Sequence, residues 1–301
     1  MFLKSYTHTV PTLELDDYFV IEGLDRDCNF NLFYRKQNKD FLSSIEANDG
    51  LAVIYCPPIP FVEVESKGLA INKLQHTHAH KYACALKNCR VDYVEIEGSA
   101  CASSLAGIVK AYKLIHSGEF KDVLIITDER ISKGVSDLFK QMKIDIKAGD
   151  GFSALHLVKS EPKDSFIKIT DPATAYHYHT NPWATTEEGY RKVIASEDYE
   201  YIKPHGTGTD VNDDSVIHAV KLLYPKLEHQ LLLAKQVALI EPLKAKYIYE
   251  DSKTYDLALG LSAHWVLDFY PILAFTQVAS NGRALRQYSH RKMPACRHFW
   301  M

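Results

Sequence analysis

Paired cysteines are missing from this chain. Its 301 residues hold six cysteines, Cys28, Cys56, Cys84, Cys89, Cys101 and Cys296. None stands in the CxxC spacing of a zinc site, and they are too sparse for a disulfide scaffold. A reducing, cytoplasmic setting is therefore expected. A basic run is missing too: with a net charge of −3, the chain lacks the lysine and arginine face of a phosphate-driven nucleic-acid binder, and no nucleic-acid partner is expected. No apolar stretch reaches membrane-spanning length without charge, and Met1 to Thr9 has no long apolar core of an export signal, so no membrane span is expected. Finally, no acidic residue follows Asp268, whereas Arg283, Arg286, Arg291, Lys292 and Arg297 do. This atypical basic tail is either a weakly ordered segment suited to an acidic partner or a chain end that has drifted from its ancestral sequence.

What is present is a globular composition, 46% hydrophobic and 24% charged, long enough for one large domain or two intimately joined halves. Leu51 to Cys56 is a compact apolar strand stopped by Pro57 and Pro58, and it reads as central in a sheet. A strand at Tyr18 to Glu22 and a helix around Asp40 to Ala47 precede it. Asn72 to Lys87 reads as a helix with Leu74, Tyr82, Ala85 and Leu86 as its apolar stripe. Its His76, His78 and His80 read as surface histidines. His76 and His80 share a face at metal-ligand spacing, but no third ligand is spaced to complete a metal set.

Further on, strand Val91 to Ile96, helix Ala102 to Ser117 ended by Gly118, strand Val123 to Thr127, a helical segment near Ser136 to Met142 and strands Phe152 to Val158 and Phe166 to Thr170 alternate. That order predicts an α/β protein with a largely parallel, buried sheet. Thr185 to Ala195 reads as a capped helix, Tyr199 to Ile202 as a strand, and Asp213 or Asp214 as the cap of a helix running to Leu223. No internal repeat is legible.

One stretch stands out chemically. Val94 to Ile96 runs through Gly98, Ser99 and Ala100 into Cys101, and then into the helix. A cysteine at a first helical turn meets unpaired N–H groups and the positive end of the helix dipole, both of which favour thiolate. The same window is equally compatible with a packed core thiol. Farther along, Pro204-His205-Gly206-Thr207-Gly208-Thr209 places a histidine in a glycine-rich loop that can turn tightly.

These motifs carry a resemblance. Gly98-Ser99-Ala100-Cys101-Ala102-Ser103-Ser104-Leu105 resembles the nucleophile motif of the β-ketoacyl synthases, and Pro204 to Thr209 with Asn212-Asp213 resembles that family's first active-site histidine motif. Between them, Gly149-Asp150-Gly151-Phe152-Ser153-Ala154-Leu155 is similar to the turn and strand closing the first half of the fold. The resemblance runs from about Ala79 to Asp213. It implies a thiolase-like α/β/α/β/α layering with mixed, largely parallel sheets. One half, 1–160, would carry the nucleophile and the other, 161–301, the histidine. It implies an acyltransferase of fatty acid or polyketide biosynthesis, with Cys101 loaded from acyl carrier protein or coenzyme A for Claisen-type condensation, His205 steadying the malonyl enolate, and Thr207 and Thr209 contacting substrate. It calls for no cofactor and no metal. A homodimer, or a heterodimer with another ketosynthase, is implied.

The sequence departs from the family in two places. No histidine follows Lys253-Thr254-Tyr255, where a second active-site histidine is expected; His264 comes a few residues later. No glycine-rich Phe-Gly-Gly segment is found to supply a second oxyanion donor. A degenerate, chain-length-factor-like partner subunit is therefore the alternative, and a cysteine hydrolase using Cys101 and His205 a third reading.

Overall fold

The computed structural model describes residues 1–9, 13–14, 18–22, 36–57, 71–98, 103–129, 137, 140–141, 148–149, 151–163, 168–176, 201–203, 246–248, 254–256, 273–278 and 283–289. In chain order the elements are β1 (Phe2–Thr9), β2 (Leu13–Glu14), β3 (Tyr18–Val20), α1 (Lys36–Ser44), β4 (Ala47–Cys56), α2 (Ile71–Ala85), β5 (Cys89–Ile96), α3 (Ser103–Ser117) and β6 (Asp122–Glu129). Then follow β7 (Ala148–Gly149), β8 (Gly151–Val158), β9 (Ile169–Tyr176), β10 (Tyr201–Lys203), β11 (Lys246–Ile248), β12 (Thr254–Asp256), β13 (Leu273–Val278) and β14 (Arg283–Ser289). The helices expected at Thr185 to Ala195 and up to Leu223 lie outside the described residues, as does most of Ser136 to Met142.

The apolar run of β4 is an inner strand, as its composition predicts, in a five-stranded sheet of order β1-β8-β6-β4-β5. Strand alternation sends its side chains to two cores. Ala52, Ile54 and Cys56 join Leu105, Ile108, Val109 and Ile115 of α3 on one face. Leu51, Val53 and Tyr55 join Ala79, Tyr82 and Leu86 of the α2 side on the other. Each large aliphatic side chain so buried contributes about 1.5–3 kcal/mol.

The sheet is mixed, as the resemblance implies, and partly parallel. β4 pairs in parallel with β5 and β6, whereas β8 runs antiparallel to both β6 and β1. All eight residues of β8 are buried, so its composition resembles that of an inner parallel strand and does not reveal its direction.

A second sheet has order β10-β13-β14-β9. Its opening strand β9 pairs antiparallel with its closing strand β14, which pairs antiparallel with β13, which pairs in parallel with β10. The first sheet has the same plan, with β1 antiparallel to β8, β8 antiparallel to β6, and β6 parallel to β4. A topological repeat is present without a legible sequence repeat. Residues 283–289 of the basic tail are an inner strand of this second sheet and not a loose end.

Helix α3 lies between the sheets, touching β4 and β6 of the first and β9 and β14 of the second. Its early turns are accordingly buried all round, Ser103 to Val109 without interruption. An amphipathic stripe alone would have left one side of these turns exposed. Gly118, at φ 83°, ends the helix; the Phe120 N–H returns to the Leu114 carbonyl at 3.2 Å and satisfies one of the helix's last carbonyls.

Smaller departures from the sequence reading have local causes. Helix α1 stops at Ser44, and Ala47 already belongs to β4, paired with Cys89. Long-range pairing overrides the local helical pattern there. His78 is 4% exposed rather than a surface residue, because it stands one turn before Tyr82 on the packed face of α2; its ring meets Tyr55 edge-on at 6.4 Å.

Candidate active site

Strand β5 ends at Ile96 and α3 begins at Ser103, and β4 and β6 end on the same side of the sheet as β5 because all three strands are parallel. In sheets of this kind, the carboxyl ends of the strands are where ligands bind. The Glu97 N–H donates to the Tyr55 carbonyl at 2.9 Å, extending the pairing with β4 one residue beyond β5. Among the described residues, none has an atom within 4 Å of where a Cβ of Gly98 would stand.

The first turn of α3 is tied to the same place. The Cys56 thiol, fully buried, donates to the Ser103 carbonyl at 3.2 Å. One turn on, Gly107 leaves room for that sulfur: a Cβ there would stand 3.0 Å from Cys56 Sγ and 3.4 Å from Ile54 Cγ2. Burial pushes the Cys56 thiol well above its ordinary range, and the Glu97 carboxylate pushes it further. Cys56 is therefore a neutral packing and hydrogen-bonding group and no nucleophile. Ser104 Oγ, also in the first turn, is buried and has no hydrogen-bond partner among the described residues.

Two polar networks flank the turn. Lys110 of α3 is paired with Glu95 and lies 2.9 Å from Glu97, while the Tyr93 hydroxyl donates to Glu95 at 2.7 Å. Burial works against the charge on Glu95, but the hydrogen bonds from Lys110 and Tyr93 outweigh it and hold the carboxyl below its usual range. Burial likewise opposes the Lys110 charge, and its bonds to Glu95 and Glu97 overcome this and raise it. On the opposite face, the fully buried Asp128 carboxylate accepts from Tyr55 at 2.7 Å and from Tyr82 at 2.8 Å, joining β6, β4 and α2.

Cys101 belongs to the 97–102 connection, and His205, Thr207 and Thr209 follow β10; all four lie outside the described residues. The Lys253-Thr254-Tyr255 segment runs into β12, which pairs with β11 as an antiparallel ladder. The networks of Asp128 and Lys110 went unread in the sequence, where Asp128 resembles the polar end of an apolar strand and Lys110 a solvent-facing helical lysine. Only the apolar-stripe placement of Tyr82 hinted at the first. Among the described residues, no group of three or more histidine, cysteine or acidic side chains is placed to hold a metal. No helix among them is long and apolar enough to cross a membrane.

Comparison with known proteins bears on this region first. The family described as 3-oxoacyl-[acyl-carrier-protein (ACP)] synthase III matches residues 97–173, a segment that contains Cys101 and stops before His205. A β-ketoacyl synthase from Burkholderia phymatum STM815 superposes with a TM-score of 0.56 at 14% identity, over 85% of this chain and 79% of that one. The ishigamide ketosynthase/chain length factor gives 0.54 at 16% identity, over 81% and 76%. The ketosynthase from module 1 of the bacillaene synthase of Bacillus amyloliquefaciens FZB42 gives 0.53 at 14% identity, over 81% of this chain but 55% of that one. The chain thus spans about half the length of that ketosynthase. A separate, short similarity, 48% identity over 46 residues, is to BBSome complex member BBS7 of Mus musculus, covering 15% of this chain and 6% of that protein. With the same fold found over some four-fifths of its length, the chain has the ketosynthase-like, thiolase-type architecture.

Proposed function

We propose that the chain is a β-ketoacyl synthase-like acyltransferase that takes an acyl group onto Cys101 from acyl carrier protein or a coenzyme A thioester. The observation that supports this best is that β5 ends at the carboxyl edge of parallel strands just before Cys101 in sequence, and that the helix beginning just after it, α3, is buried between two sheets. In this reading the Cys101 thiolate attacks the thioester carbonyl, the backbone N–H of Cys101 donates to the developing oxyanion, and the carrier leaves as its thiol. His205 donates to the malonyl thioester carbonyl and steadies the enolate formed as carbon dioxide departs. Thr207 and Thr209 contact the substrate. The chain divides near residue 160 into a half carrying Cys101 and a half carrying His205, a division favoured by the matching strand plans. Cysteines 56, 84 and 89 are free thiols, in keeping with a reducing cytoplasm.

Partners follow from the same reading. β5 is the end strand of its sheet, and Val94 on it is 42% exposed. Such an edge suits a second ketosynthase chain, as homodimer or heterodimer. The missing second histidine, together with the likeness to the ishigamide ketosynthase/chain length factor, supports the alternative of a partner subunit without condensing activity of its own.

Intact-protein mass after incubation with an acyl thioester separates the two readings. An acyl adduct lost in Cys101→Ala is the expected result, with malonyl-dependent elongation slow unless a second ketosynthase is supplied. Absence of any adduct, even with that partner present, would favour the structural subunit.

A further inference from the structure

On the reading of Cys101 as the nucleophile, we propose that Lys110 of α3 is a positioning residue for it, pinning Glu97 past the end of β5 and offsetting negative charge beside the first turn of α3. The described residues on either side of Cys101 in sequence are tied to consecutive residues of β4. Before it, the Glu97 N–H donates to the Tyr55 carbonyl at 2.9 Å; after it, the Ser103 carbonyl accepts from the Cys56 thiol at 3.2 Å. Lys110 adds a tie across the two elements, its ammonium paired with Glu95 and 2.9 Å from the buried Glu97 carboxylate. The Tyr93 hydroxyl donates to Glu95 at 2.7 Å, and Glu119 acts on Tyr93 from just past the end of α3. The field of this cluster reaches the first turn of α3, where Cys56 reports it. Burial raises that thiol most, Glu97 raises it further, Lys110 lowers it, and Asp128 and Glu95 raise it. Cys101 stands two residues before Ser103, and covalent geometry keeps their Cα atoms within about 7 Å whatever the backbone between them does. A thiolate at Cys101 therefore meets the same charges. Lys110 offsets one of the two carboxylates; without it, both oppose the thiolate.

The pH profile of Cys101 alkylation by iodoacetamide tests this in the reduced full-length chain, read site by site by peptide mass spectrometry. The thiolate is the form that reacts, so the midpoint of the profile follows ionisation of the thiol. Lys110→Met is expected to raise the Cys101 midpoint by about half a pH unit or more, Lys110→Arg to leave it at the parent value, and Glu97→Gln to lower it. Cys84, exposed on α2, is the internal reference, and its midpoint should stay in place in every variant. A merely structural loosening would not move Cys101 in opposite directions in Lys110→Met and Glu97→Gln. Should Lys110→Met not fold, the near-isosteric Glu97→Gln decides the matter. A Cys101 midpoint unmoved in these variants, a Cys84 midpoint that moves with it, or a Cys101 inert in the parent protein would each overturn the proposal. A chain that shows the shifts yet takes no acyl group would sink the acyl-transfer reading alone, and one that is acylated without the shifts would sink this one alone.

Discussion

At the scale of single residues, the contact that sets the depth of the central helix is a sulfur in a notch. Cys56 Sγ occupies the space that the absent Gly107 Cβ leaves, and a methyl group there would stand 3.0 Å from the sulfur. Gly107→Ala should therefore cost about 1–3 kcal/mol by overpacking, although alanine is the better helix former. Cys56→Ala should recover part of that loss, since shrinking the sulfur side reopens the space. A double-mutant cycle by urea denaturation checks this, and strictly additive effects would show that the two residues do not meet as described. The notch was not legible in the sequence: the residues lie 51 positions apart, and each looks unremarkable alone. Cys101 was legible as a candidate because small residues, a strand and a helix surround it in one local window.

At the scale of elements, β5 and α3 are joined by charge as well as by chain. Lys110 serves two carboxylates, one of which, Glu97, is 5% exposed. Lys110→Met should cost about 1–3 kcal/mol at neutral pH, chiefly through the lost ion pair to the buried Glu97 and discounted for the solvent that reaches the rest of the cluster. The Glu95 carboxyl is held below its ordinary range when folded. Its stabilisation is thus complete above the unfolded carboxylate pKa and is lost as pH falls through the lower folded value. Lys110 is shifted upward, so its contribution is complete below the ordinary lysine range and fades only as pH rises through the folded value. The gap in stability between the parent and Lys110→Met should close on acidification below the carboxylate range and stay constant from there to mild alkalinity. Denaturant melts across pH test this, and a gap unchanged in acid would refute it. Helix α3 and strand β4 were readable from hydrophobic period and composition. The reversed direction of β8 was not, because direction depends on what a strand pairs with rather than on its own residues.

For the whole molecule, the decisive feature is that both sheets pack on one helix. The residues of α3 from Ser103 to Val109 are buried on every side, so neither sheet can separate without exposing that apolar surface to water. The two sheets should unfold together. Tryptophan fluorescence and far-ultraviolet circular dichroism should give coincident denaturation curves with a single midpoint. Two resolved transitions would show that the halves hold together without sharing a core. The layering was foreseeable only through the family resemblance, because hydrophobic pattern marks a helix as buried but does not name its neighbours.

The position of β14 gives its codons a weight that their basic composition does not suggest. Arg283–Ser289 lies between β13 and β9 and is bonded to both, so β14 is synthesised after the two strands that it joins. A premature stop codon or a frameshift between β13 and codon 283 would do more than trim a charged appendage. It would leave β9 and β13 with facing rows of unpaired backbone groups, and the nascent polypeptide would leave the ribosome with its second sheet split down the middle.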